Sequence, residues 1–143
     1  MRREGTMFRL VASIVPRCMY AVAENISDMG AYLACTRYEE KIEHVIEWEP
    51  LVSKYFKEVD VPEALAIIFC ESSGRSKVVN DNTNGTRDIG LWQFNDDTWA
   101  WLKPKLKITS PRTNPEVSTA VASWLYYNDG NYHWNSSRKC WEK

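Results

Sequence analysis

Ala64-Leu65-Ala66-Ile67-Ile68-Phe69-Cys70-Glu71-Ser72 and, after a polar stretch, Asp88-Ile89-Gly90-Leu91-Trp92-Gln93-Phe94-Asn95 decide the reading of this chain. On a helix, Glu71 lies three and four residues after Ile68 and Ile67 and so shares their apolar face. A carboxyl there loses hydration, which disfavours its charged form. Asp88 instead follows an Asn/Gly-rich turn, where a carboxylate stays ionised. Taken alone, Glu71 reads rather as a helix end fraying into water before Ser72-Ser73-Gly74. The Asp88 string favours paired use. One protonated and one ionised carboxyl, seventeen residues apart, suggest a glycoside-cleaving site.

Outward from these strings, helical signals dominate. Ile42, Val45 and Ile46 place a helix over Tyr38 to Trp48, and Pro50 starts a further turn with Leu51, Val52, Tyr55 and Phe56 on one side. Asp60, Pro62 and Glu63 read as a capping box opening the Glu71 helix. Val78 to Asp88 reads as a small β-hairpin turning at Asn84-Gly85, both of which tolerate positive φ. Asn95 or Asp96 caps a short helix through Trp99 and Leu102 that Pro104 ends. Asn114-Pro115 opens another, with Val117, Ala120, Val121, Trp124 and Leu125 as its core stripe and Asp129-Gly130 as its stop. Residues 1–37 carry little periodicity and are set apart as an N-terminal extension. Residues 38–143 form the expected domain.

Composition narrows the function. The chain has 143 residues, 44% hydrophobic and 26% charged, with a net charge of −1. That fits one soluble domain with a modest core and gives no general attraction to nucleic acid or to an anionic surface. No apolar run is long enough to span a bilayer, so stable membrane insertion is not expected. Arg2, Arg3 and Arg9 before Leu10 to Val15, with Ala21-Val22-Ala23 following, have the order of a secretory signal. Pro16-Arg17 interrupts it, and a structured or loosely ordered leader is the preferred reading. The four cysteines, Cys18, Cys35, Cys70 and Cys140, match no zinc spacing. If they oxidise, Cys70–Cys140 would tie the Glu71 helix to the tail and Cys18–Cys35 would stay within the extension. Asn80, Asn82 and Asn84 mimic the start of a calcium loop, but its twelfth position holds Leu91 rather than Glu. No metal or organic cofactor is implied.

These residues resemble the lysozyme-like superfamily, that is, the animal-type lysozymes and the catalytic domain of soluble lytic transglycosylases. The resemblance covers roughly residues 40–143. Glu71-Ser72 looks like the Glu-Ser that holds the family's catalytic acid. Asn82-Thr83-Asn84-Gly85-Thr86-Arg87-Asp88-Ile89-Gly90 is similar to the chicken-type hairpin, and Gly90 to Asn95 to a segment shared with the transglycosylases. Asp129-Gly130-Asn131, Trp134 and Cys140 match later family positions more weakly. Chicken-type members have more cysteines than this chain, so their disulfide framework is not carried over. Many transglycosylases lack an acid at the Asp88 position, and its presence favours water as final acceptor.

The resemblance implies an α+β fold, mostly helical, with a small β-hairpin flanking the cleft. It implies a monomeric peptidoglycan-cleaving glycosidase acting on MurNAc-β-1,4-GlcNAc, with chitin a lesser alternative. Such an enzyme acts outside the cytoplasm: extracellular, periplasmic or virion-associated. Glu71 would be the general acid and Asp88 the second carboxylate. Trp134 would stack near the acid, Trp99 would stack on a sugar, and Asp129 would bind a distal sugar. Asn82, Gln93 and Asn95 would meet hydroxyl and N-acetyl groups, or else hold backbone. Trp92 reads as core, and His44 and His133 as surface or packed residues. A lytic transglycosylase forming 1,6-anhydro-MurNAc, a non-catalytic wall-binding or structural module, and a regulator bound to another wall enzyme are the competing readings.

Overall fold

The computed structural model describes residues 29–142. The elements, in chain order, are α1 (Met29–Ile46), α2 (Glu49–Tyr55), a 3-10 turn (Glu58–Asp60) and α3 (Val61–Ser72). The strands β1 (Val79–Asp81), β2 (Arg87–Ile89) and β3 (Phe94–Asn95) follow. Then come α4 (Asp96–Lys105), α5 (Pro115–Asn128), a 3-10 helix (Asn131–Ser137) and α6 (Arg138–Trp141). Helices with one small antiparallel sheet make a mostly helical α+β architecture, as the resemblance implies. Among the described residues no helix is long and apolar enough to cross a membrane.

Helix α3 is the hub, in contact with α1, α2, the 3-10 turn before it, the 3-10 helix of the tail and α6. Ala64, Leu65, Ile67 and Ile68 are sealed from solvent, which accounts for most of what holds the helix in place. Its start departs from the expected capping box. Asp60 has helical backbone angles and no side-chain cap bond. Its carboxylate accepts from the Tyr127 hydroxyl at 2.7 Å, and Glu63 accepts from Tyr126 and Asn131. Long-range partners from α5 and the tail have taken both acids away from the helix end.

Two other boundaries differ. The helix expected over Tyr38–Trp48 begins at Met29 and ends at Ile46. Helix α4 continues through Pro104 to Lys105, the proline forgoing one i to i−4 hydrogen bond in the last turn. Asn95 caps α4 by accepting from the Asp97 amide, and Asn114 caps α5 by accepting from Val117.

The hairpin turn is wider than a two-residue loop. The Asn82 and Thr86 backbones close it, and Gly85 donates to the Asn82 carbonyl. Only Gly85 takes positive φ, at 86°. The Asn84 carboxamide folds back instead, accepting from the Thr86 amide and hydroxyl. The sheet also has a third strand, β3, pairing Asp88 with Asn95 and Ile89 with Phe94. Arg112 clamps this sheet to α4 by donating to the Phe94 carbonyl at 2.8 Å and to the Asp96 carboxylate at 2.6 Å. The Arg112 guanidinium holds the Asp96 carboxyl below the usual carboxylate range.

Cys70 and Cys140 form a disulfide, joining α3 beside Glu71 to α6 across 70 residues. The Cys18–Cys35 pairing lies outside the described residues. A closed loop of that length contributes about 2–4 kcal/mol by restricting the unfolded chain. Reduction by dithiothreitol should therefore lower the urea midpoint, and so should Cys140→Ser. Equal midpoints with and without reductant would show that the tie adds nothing.

Candidate active site

Glu71 occupies the last full turn of α3, one residue before the helix ends. Asp88 sits mid-strand in β2, with Asn80 and Asn95 as its cross-strand neighbours. Such neighbours share a face of the sheet, and Asn95 donates its Nδ2 to Asp88 Oδ1 at 2.8 Å. The same Nδ2 lies 2.9 Å from Thr86 Oγ1, while Asn95 Oδ1 caps α4. Asn95 thus fixes the second carboxylate and the helix start together.

Glu71 and Asp88 line one cavity of about 220 Å³, with Asn95, Thr98, His133 and Trp134 among its other walls. Burial raises the Glu71 carboxyl above the usual glutamate range, against the opposing hydrogen bond from Ser137, and the Asp88 charge adds to the rise. The Ser137 hydroxyl donates to Glu71 Oε1 at 2.6 Å.

The tryptophans give this wall its rigidity. Trp141 Nε1 donates to the Trp134 carbonyl, Trp134 Nε1 to the Trp92 carbonyl, and Trp92 Nε1 to Thr119 Oγ1 on α5. Three indoles in series therefore lock the tail onto the turn between β2 and β3. Trp92 and Trp134 are essentially sealed, with ring centroids 5.6 Å apart. The expectation of Trp92 as core fits this packing.

Of the eight residues expected at the site, five meet at this cavity: Glu71, Asp88, Gln93, Asn95 and Trp134. The polar atoms of Gln93 are already engaged. Its Nε2 donates to the Gly90 carbonyl at 2.9 Å and its Oε1 accepts from Asn80 at 2.7 Å.

Three residues stand elsewhere. Asn82 is in the hairpin turn, its Nδ2 reaching Thr86 Oγ1 at 3.3 Å. Trp99 is 8% exposed and packs on Phe94 with centroids 5.4 Å apart. With Leu102 three residues on, it faces inward from α4. The outward tryptophan of that helix is Trp101. Asp129 braces the tail, accepting from the Tyr132 hydroxyl at 2.6 Å and from His133 Nε2 at 2.7 Å.

Thr98, His133 and Ser136 also line the cavity and Ser137 bonds to Glu71, none of which the sequence reading places there. His133 had one legible signal, the i, i+4 spacing from Asp129. Nothing in the sequence marked the two serines.

A family model, Transglycosylase SLT domain, matches residues 52–138, a span that includes every residue named at the cavity. No curated protein and no solved structure matches the chain.

Proposed function

Because the chain belongs to the transglycosylase SLT domain family, whose members are glycosidase-type enzymes acting on peptidoglycan, we propose that it cleaves the MurNAc-β-1,4-GlcNAc bond with Glu71 as proton donor. One observation carries this reading: a half-buried Glu71, its carboxyl raised above the usual glutamate range by burial, and the hydrogen-bonded Asp88 line the same cavity. Glu71 protonates the bridging oxygen, and the C1–O bond breaks with its electron pair leaving on that oxygen. Asp88 stabilises the positive charge that develops at C1. Glu71, now a carboxylate, accepts the proton of the oxygen that attacks C1.

That oxygen decides the product. Water leaves reducing-end MurNAc, and the sugar's own 6-hydroxyl leaves 1,6-anhydro-MurNAc. The family match favours the second and the acid at position 88 the first. Glycan strands lie outside the cytoplasm, so the protein acts extracellularly, in the periplasm or from a virion.

Mass spectrometry of fragments released from purified peptidoglycan tests the proposal. Absence of fragments from folded wild-type protein, across pH and with chitin as control, would point to a non-catalytic wall-binding module. Asp88→Asn keeps an acceptor for Asn95 but removes the charge, and kcat should fall roughly 10²-fold if Asp88 meets the cationic centre. Full activity in that variant would leave Glu71 acting alone.

A further inference from the structure

We propose that Ser137 is a positioning residue that fixes which oxygen of Glu71 carries the catalytic proton. The inference rests on the glycosidase reading for its kinetic consequence, but not for its geometry.

A serine hydroxyl has one proton to give and lone pairs to receive. Ser137 Oγ lies 2.6 Å from Glu71 Oε1 and 3.1 Å from the Trp134 carbonyl oxygen. Both sites accept, so the single proton serves one at a time. With Glu71 ionised, Ser137 donates to Oε1, where a charge-assisted bond is stronger than one to a neutral carbonyl. With Glu71 protonated, there are two arrangements. In one, Ser137 still donates to Oε1 and the acid proton is on Oε2. In the other, Oε1–H donates to Ser137, which turns its own proton to the Trp134 carbonyl.

Oε2 has no hydrogen-bond partner among the described residues. It is also not one of their sealed, unpartnered side-chain atoms, so it is accessible, on a side chain that lines the cavity. The first arrangement presents the proton to a bound glycosidic oxygen, and the second withdraws it. A bound glycosidic oxygen biases the choice toward the first, because it gives the Oε2 proton an acceptor while Ser137 keeps its short bond to Oε1. Ser137 therefore does two things. It stabilises the carboxylate left after proton transfer, and it keeps the proton on the outward oxygen before transfer. The other titratable groups lining this cavity are Asp88 and His133. Neither hydrogen-bonds to Glu71: Asp88 is held by Asn95, and His133 by Asp129.

Ser137→Ala deletes only the hydroxyl, and the Trp134 carbonyl keeps its Trp141 partner, so the fold should survive. Two measurements test the proposal. The first is a ¹³C-NMR titration of the Glu71 carboxyl in wild type, Ser137→Ala and Ser137→Thr, which needs no substrate. Loss of a donor to the carboxylate should raise the Glu71 midpoint in the Ala variant, and Thr should restore it. The second is the pH profile of glycan cleavage. The basic limb should move to higher pH in Ser137→Ala, kcat should fall about tenfold with KM little changed, and Thr should recover most of the rate. An unshifted Glu71 midpoint, or a Thr variant as impaired as Ala, overturns the role of Ser137. Absence of cleavage by the wild type beside a normal NMR shift would overturn the glycosidase reading and leave the Ser137–Glu71 coupling standing.

Discussion

Glu71→Gln should abolish glycan cleavage, lowering kcat on the order of 10³-fold, while the protein folds as well as the wild type or better. The amide has the shape of the acid and an oxygen for the Ser137 hydroxyl, but no proton of comparable acidity. The stability sign follows from linkage. Burial raises the folded pKa of Glu71 above its unfolded value. The stability it contributes is therefore present at low pH and is lost as pH rises through that raised pKa. Glutamine has no such loss, so the variant should match the wild type below this window and exceed it above. The pH–rate profile should show a basic limb, displaced above the ordinary glutamate range, that belongs to Glu71. Activity retained in Glu71→Gln, or a basic limb persisting in it, would remove the assignment.

Gly90→Ala should be among the most damaging single changes away from the acids. Gly90 has φ +89°, and an added Cβ would sit 2.5 Å from the Arg112 carbonyl oxygen. Left-handed backbone and a collision with main chain act together here. The cost is on the order of 3–5 kcal/mol, or roughly 10–20 °C in melting temperature for a domain of this size. Arg112 cannot step aside freely, because its guanidinium holds the Phe94 carbonyl and Asp96. The same turn carries Asp88 on one side and Asn95 on the other, so activity should fall with stability. Calorimetry decides. A melting temperature within a few degrees of wild type would mean that the Arg112 loop is not a fixed partner of the sheet.

The sequence was informative where local chemistry coincided with tertiary demand. The α3 and α5 stripes were legible because the helical period and the buried face agree, and Asn95 and Asn114 cap as their residue types suggest. Glu71 and Asp88 stood out because each lies in a distinctive string. The reading weakened where distant partners decided. Asp60 and Glu63 looked like a cap, but Tyr127 and Tyr126, more than sixty residues away, claim them. Strand β3 is two residues long, too short to show a period. Trp99 and Trp101 are both tryptophans on one short helix, and only the packing of Phe94 shows which one turns inward. Ser137 and Arg112 carry no pattern, since their roles are set by what the fold brings to them.

The indole series and the disulfide also bear on the timing of synthesis. Glu71 leaves the ribosome well before Trp134, Ser137 and Cys140. At about 5–20 residues per second, the 70-residue interval to Cys140 takes roughly 4–14 s. Until the tail emerges, Glu71 lacks the Trp134 indole and the Ser137 hydroxyl, and Cys70 lacks Cys140. A nascent chain that has already formed its central helix thus still lacks part of the wall around Glu71. The cavity wall is complete only when the tail through Trp141 has emerged and docked, well after the helix that bears Glu71.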